Sequence, residues 1–284
     1  MFAFTLLLPT LFITSQSTPP NRESGLALER WNVDLGTNPE EVGDYLEGDI
    51  IFTNLVKNGL VNENARWPDA VVPYEIVGKF TYNERDLIGK AMEEYHKRSC
   101  IRFRPKEKND VDWISLGSTK TGCWSSVGRV GGKQDLNLQS PGCLGKIGTT
   151  IHELLHACGF YHEQNRYDRD AYVEIHWDNI DDGKKGNFKK VGNDTTTVYG
   201  VGYDYGSVMH YSKYAFSSNG NPTITPTNAS ATIGQRDGFS ESDLQKLRTM
   251  YNCSEDNINP VTNGLINVHQ TSNGLGELIS ILFP

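Results

Sequence analysis

The sequence predicts an α+β body of two lobes over residues 58–253, and three observations carry that expectation. Runs rich in β-branched residues mix with helically spaced apolar residues in the first half of that body. Residues 167–239 are rich in Gly, Asn, Asp, Ser and Thr and read as mostly irregular. A capped helix then closes the body shortly before Cys253.

Each element has a local reason. Residues 71–77 are β-branched-rich and read as a strand. Thr81-Tyr82-Asn83-Glu84 fits a capping box, and Leu87, Ile88, Ala91, Met92 and Tyr95 follow at helical spacing. Residues 111–116 alternate as a strand would, and residues 135–138 do so more weakly. Residues 151–158 read as a helix. Ser240 with Asp243 can cap the last helix, which carries Leu244, Leu247 and Tyr251.

The ends differ from the body. Residues 2–13 are apolar apart from Thr5, Pro9 and Thr10, and Ser15, Ser17 and Thr18 follow. That stretch is too short to span a bilayer comfortably and reads as a secretory signal peptide over residues 1–17, although its start carries only the α-amine as a cation. A membrane anchor is the competing reading. Residues 18–57 are polar, carry Pro19, Pro20 and Pro39 among scattered acids, and look like a leader or linker. Residues 254–284 form an Asn- and Gly-rich tail with no assigned role. The 284 residues carry a formal net charge of −8 and no Lys/Arg-rich run, so no nucleic-acid partner is expected. No stable membrane insertion is expected either. If the chain is secreted, four of its five cysteines (Cys100, Cys123, Cys143, Cys158, Cys253) can pair, but spacing alone leaves the connectivity open. The sequons at Asn193, Asn228 and Asn252 agree with secretion.

The chemistry is concentrated in residues 152–162. His152-Glu153-Leu154-Leu155-His156 on a helix stacks two imidazoles on one face, one turn apart. Both can then reach one ion at the ~2.0 Å that zinc requires. Glu153 is rotated by about 100°, beside the metal rather than on it, where it can act as general base on a water. The bland alternative is an amphipathic helix with two surface histidines. Gly159 and His162 follow at three-residue intervals. A glycine that ends the helix lets the chain double back and bring His162 to the same ion. Three protein ligands leave a position open, the mark of a catalytic site.

This long pattern is the metzincin signature, and the chain resembles the astacin family in particular. Glu163 directly follows the third histidine in the run His162-Glu163-Gln164-Asn165-Arg166-Tyr167-Asp168-Arg169-Asp170. Ser207-Val208-Met209-His210-Tyr211 looks like that family's Met-turn. Gly122-Cys123-Trp124-Ser125 and Gly142-Cys143 match in spacing, and the resemblance runs over about residues 67–253. It implies a metzincin-type two-lobed catalytic domain, with a mixed twisted sheet and two long helices in the N-terminal lobe. The C-terminal lobe would be largely irregular, with a terminal helix. It implies a secreted endopeptidase with one Zn2+ per catalytic domain, acting on protein or peptide substrates and expected as a monomer. Met209 would floor the metal site, and Tyr211 would be a fifth ligand that swings to the substrate and steadies the oxyanion. The disulfides would be Cys100–Cys253 and Cys123–Cys143. A substrate strand would add to an edge near residues 123–130.

The resemblance also implies a zymogen. Tyr45-Leu46-Glu47-Gly48-Asp49-Ile50 resembles the family's propeptide motif, in which an Asp caps the zinc; Leu46 stands where an aromatic is usual. Counting back from Pro73-Tyr74 makes residues 18–57 the propeptide. The mature N-terminus would fall at Asn58, after Lys57, a bond suited to a trypsin-like activating protease. The new α-ammonium is expected to pair with Glu163, taken here as a lone carboxylate near the interior.

Two rivals remain: a catalytically inactive zinc-binding module on the same fold, and another metzincin branch, against which Glu163 argues. A thiol peptidase using Cys158 is disfavoured, because that residue lies roughly 200° around the helix from His156. Cys158 is expected to be a small buried hydrophobe, and His210 is not assigned to the metal.

Overall fold

The computed structural model describes residues 20–51, 63–193 and 196–258. The signal peptide, the Lys57–Asn58 bond and tail residues 259–284 lie outside the described residues.

A five-stranded sheet organises the first half. It is built from β1 (Val71–Ile76), β2 (Arg102–Pro105), β3 (Trp113–Gly117), β4 (Cys123–Trp124) and β5 (Lys133–Leu138), in the order β2-β1-β3-β5-β4. The first four in that order are mutually parallel, and β4 runs antiparallel to β5 at one edge. The long helices α2 (Tyr82–Arg98) and α3 (Ile147–Ala157) pack on one another, and α3 lies on β5. The leader supplies a shorter helix, α1 (Arg22–Arg30). Thr81 accepts from the Glu84 amide and Glu84 caps back, so α2 starts where the capping box places it. The core joins Ile88, Met92 and Tyr95 of α2 to Ile114, Leu116 and Leu136 of the strands and to Ile151, Leu154 and Leu155 of α3. Burying a leucine of this kind is worth about 1.5–3 kcal/mol. Leu154 and Leu155 together therefore fix the roll of α3, and with it the face that carries the histidines.

The second half has its own small core of Val173, Ile180, Phe188, Tyr211, Phe216 and Ile224. Around it lie 3₁₀ turns and a two-stranded ribbon, β6 (Val173–Ile175) against β7 (Ile224–Pro226). Helix α4 (Glu241–Met250), capped by Ser240 and Asp243, ends this lobe, and a short α5 (Glu255–Ile258) follows. Cys100–Cys253 ties the end of α2 to the segment after α4, and Cys123–Cys143 ties β4 to the approach to α3. Among the described residues no helix is long and apolar enough to cross a membrane.

Two differences from the sequence reading matter. The short strand β2 lies where Arg102 and Arg104 alternate with Ile101 and Phe103; a charged four-residue strand carries little periodic signal. Residues 20–51 are more than a linker: they form α1 and 3₁₀ turns and bury Leu28, Tyr45, Ile50 and Ile51 against the body. At Gly25 a Cβ would stand 2.1 Å from the Lys120 carbonyl oxygen, so α1 docks with its backbone on the loop before β4.

Candidate active site

Helix α3 is held by two side chains at its C-terminal end, where helix carbonyls lack partners of their own. The Trp67 indole donates to the Ala157 carbonyl at 2.8 Å, and the Tyr251 hydroxyl to that of Cys158 at 2.9 Å. Further up the helix, the Tyr95 hydroxyl donates to Ile151 at 2.7 Å. Gly159 then takes φ 112° and turns the chain back, as its position in the motif predicts. His162 returns beside His152 and His156, and all three side chains are buried.

Orientation of the rings is set by their Nδ1 atoms. His152 Nδ1 lies 2.8 Å from the Val208 carbonyl and His156 Nδ1 lies 2.7 Å from that of Phe160. His162 Nδ1 lies 2.8 Å from Glu47 Oε2. Each partner can only accept, so each Nδ1 donates and each Nε2 is left to present a lone pair. The Nε2 atoms of His152 and His162 stand 3.3 Å apart. Asp49 enters the same space, with Oδ2 3.0 Å from His152 Nε2 and 3.3 Å from His162 Nε2, and Oδ1 3.4 Å from His156 Nε2. The four ligand atoms lie within 4.8 Å of one another. Buried lone pairs and a carboxylate converging in this way call for a cation. Without a metal that cation is a proton on His162, where burial is outweighed by Asp49 and Glu47 and the pKa is raised to about 9. A metal ion would take its place. His156 Nε2 and Asp49 Oδ1 also have no hydrogen-bond partner. Three nitrogens and a carboxylate oxygen are a zinc donor set, so the residues fit that ion.

Glu153 sits next to this cluster, fully buried, with neither carboxylate oxygen hydrogen-bonded. Burial, with the charges of Asp49 and Glu40 behind it, pushes its pKa well above the usual carboxylate range. Opposite stands Tyr211, whose ring centroid is 4.6 Å from that of His162 and whose hydroxyl donates to the Glu47 carbonyl at 2.5 Å. Burial first, then the Glu47 and Asp49 charges, hold that phenol far above its ordinary pKa, so it is a neutral donor. His210 turns away: its Nδ1 meets the Tyr211 carbonyl at 2.8 Å and its Nε2 the Tyr203 hydroxyl at 2.7 Å. Cys158 is a buried free thiol packed in the main core.

The turn carrying Met209 is held by the cap residue of α4. Asp243 accepts from the Ser207 hydroxyl at 2.6 Å and from the Val208 amide at 2.9 Å, and Met209 is buried in the core. Glu163 departs from expectation. It is buried but not lone: Lys246 Nζ lies 2.6 Å from Oε2, while Arg166 and the Asp204 amide donate to Oε1 at 3.0 and 2.9 Å. Burial opposes its charge, but Lys246 and Arg166 outweigh it and lower its pKa. The premise that Glu163 waits for a new N-terminus to neutralise it therefore fails, because α4 already supplies a cation.

The leader fills the cleft. Ile51 donates to the Ser125 carbonyl and the Ser125 amide to that of Asp49, both at 2.9 Å, in a parallel bridge just beyond the edge strand β4. Tyr45, one residue before Leu46, packs on Trp124 and donates to the Thr121 carbonyl at 2.7 Å, so an aromatic anchor is present at the neighbouring position. Glu41 accepts from the amide and hydroxyl of Ser212, each at 2.6 Å. Glu40 forms a fully buried ion pair with Arg236. Burial outweighs the Arg236 charge and raises the Glu40 pKa to about 7. Sequence reading assigned no role to Glu40, Glu41, Glu47, Arg236 or Lys246. The one local hint was the position of Glu47 inside the motif that ends at Asp49.

The sequence profile of the astacin peptidase family matches residues 59–252. Zinc metalloproteinase nas-15 of Caenorhabditis elegans is 46% identical over 205 residues, covering 72% of this chain and 35% of the relative. Human meprin A subunit beta is 40% identical, covering 88% of this chain and 35% of the relative. The chain thus spans about a third of the length of these two curated relatives. Among solved structures, high choriolytic enzyme 1, a hatching enzyme zinc-protease of the medaka fish Oryzias latipes, is 41% identical with a TM-score of 0.62. That match covers 66% of this chain and 94% of the other.

Proposed function

The chain belongs to the astacin family of zinc metallopeptidases, and from that premise we propose that it is a secreted endopeptidase, made as a zymogen, that hydrolyses internal bonds of proteins. The observation that carries this reading is the juxtaposition of three imidazole Nε2 atoms with a partnerless, buried Glu153 carboxylate. His152, His156 and His162 would hold the metal. Zinc bound there supplies a Lewis acid that polarises the scissile carbonyl and acidifies a water.

The chain's own groups then divide the work. Glu153 takes the proton from the attacking water and returns it to the leaving amine; its buried carboxylate, with no protein partner, is free for both tasks. Once Glu47 has left, the Tyr211 hydroxyl is free to donate to the carbonyl oxygen as negative charge develops there. Activation is a cut between Lys57 and Asn58 by a trypsin-like protease, after which Asp49 leaves the histidines and the edge at Ser125 is open to an extended substrate.

The test is a peptidase assay on the trypsin-processed chain. Activity should disappear on zinc chelation and return when zinc is restored; activity indifferent to the chelator rejects the reading. Tyr211→Phe removes one hydroxyl and is expected to lower kcat by about 10–1,000-fold, at or below the loss of a strong oxyanion donor. Unchanged kcat with altered zinc affinity would assign Tyr211 to the metal alone.

A further inference from the structure

The three histidines are not oriented by the same part of the chain. His152 and His156 donate to main-chain carbonyls of the catalytic body, those of Val208 and Phe160. His162 donates to Glu47, a side chain of the leader. Glu47 is 4% exposed and is gripped twice, since its own carbonyl accepts the Tyr211 hydroxyl. It also takes φ 48°, in the left-handed region that a residue with a Cβ occupies only when its surroundings impose it. Asp49, two residues on, approaches the same imidazole from the opposite side, at Nε2. The leader therefore holds His162 by both nitrogens through two different carboxylates.

We propose that Glu47 is a positioning residue for His162, and that through it the leader retains the metal in the proenzyme as well as blocking the site. This rests on the reading of His152, His156 and His162 as the zinc site. A carboxylate on the far nitrogen of a metal-ligating imidazole fixes the tautomer and the ring and makes the ligand more basic. Losing such a partner typically costs about 10–100-fold in metal affinity. Processing removes Glu47 from His162, while Val208 and Phe160 stay with their histidines. The proenzyme is thus the form best suited to acquiring and keeping zinc, for a reason separate from the plug supplied by Asp49.

The experiment times zinc release from the full-length, zinc-loaded proenzyme into an excess of a chromogenic chelator, with peptide cleavage followed in parallel. Glu47→Ala should release zinc about 10–100-fold faster than the unmodified proenzyme, before any peptide cleavage develops. Glu47→Gln, whose amide oxygen can still accept from His162 Nδ1, should fall between the two. Adding Glu47→Ala to Asp49→Ala should accelerate release beyond Asp49→Ala alone. Equal release from Glu47→Ala and the unmodified proenzyme overturns the proposal. So does faster release that appears only together with loss of latency, because the leader would then act by covering the site. A proenzyme that binds no zinc at all would instead reject the metal site itself.

Discussion

If the chain is processed after Lys57 as proposed, the resulting enzyme carrying Glu153→Gln should keep its zinc and lose about 10²–10⁴-fold in kcat/KM for a peptide substrate, the range spanned by a positioned general acid–base. The substitution is nearly isosteric, and neither carboxylate oxygen has a protein partner to lose. Leu154 and Leu155, which set the roll of α3, are untouched. The same observation predicts an opposite effect on stability. A buried carboxylate without a partner is costly, and in the leader-bound chain Asp49 and Glu40 add like charge. The metal-free proenzyme should therefore melt at a higher temperature with Gln at this position. Metal analysis, steady-state kinetics and thermal unfolding check the three parts. Cleavage near the wild-type rate would remove Glu153 from the mechanism, and a lower melting temperature would mean that the carboxylate is held by something other than solvent exclusion.

The parts of this site that were legible in the sequence are those written in local spacing. The i, i+4 histidines, the glycine that ends α3 and the capping boxes of α2 and α4 all act within a few residues, and the structure uses each of them. What orients His152 and His162 was not legible, because their partners are distant in sequence; only His156 has a near one, Phe160, four residues on. The acceptor for His152 lies 56 residues away and that for His162 lies 115 residues away. The leader misled for a related reason. Apart from Asp49, its acids were given no partner, yet Glu40 and Glu41 are buried against Arg236 and Ser212, at separations of 196 and 171 residues. Low apolar periodicity predicts a segment unable to build its own core; it says nothing about a segment that borrows charge partners from another surface. Glu163 was read as an interior acid, which it is, and as a lone one, which it is not: Lys246 comes from α4, 83 residues on, and Arg166, three residues on, was in view but not assigned to it.

That cation yields the second large effect. Lys246 is buried, 2.6 Å from Glu163 and 3.9 Å from Asp243, so it joins the residue after the third histidine to the residue that holds Ser207 and Val208. Lys246→Met keeps the length of the stem and deletes the charge. Glu163 then keeps only Arg166, which it shares with Asp168, and Asp243 loses the cation beside it; removing one member of such a buried pair costs about 3–5 kcal/mol. Part of that loss should be recovered in Lys246→Met/Glu163→Gln, where one of the stranded charges is also gone. The pH dependence has a definite sign. The Glu163 and Asp243 charges outweigh burial and raise the pKa of Lys246 above 10.5. Its contribution is therefore complete below about pH 10.4, the unfolded value, and is lost only as pH rises through the higher folded value. The stability difference between wild type and Lys246→Met should be constant through neutral pH and shrink on the alkaline side. Denaturant unfolding of the disulfide-intact chain at several pH values measures it. The pair also bears on maturation. An α-ammonium at Asn58 would join a carboxylate that already has a cation, so mature forms extended by one or two residues should lose much less stability than Lys246→Met does. If extension costs as much as the deletion of Lys246, the new N-terminus, and not α4, is the principal partner of Glu163.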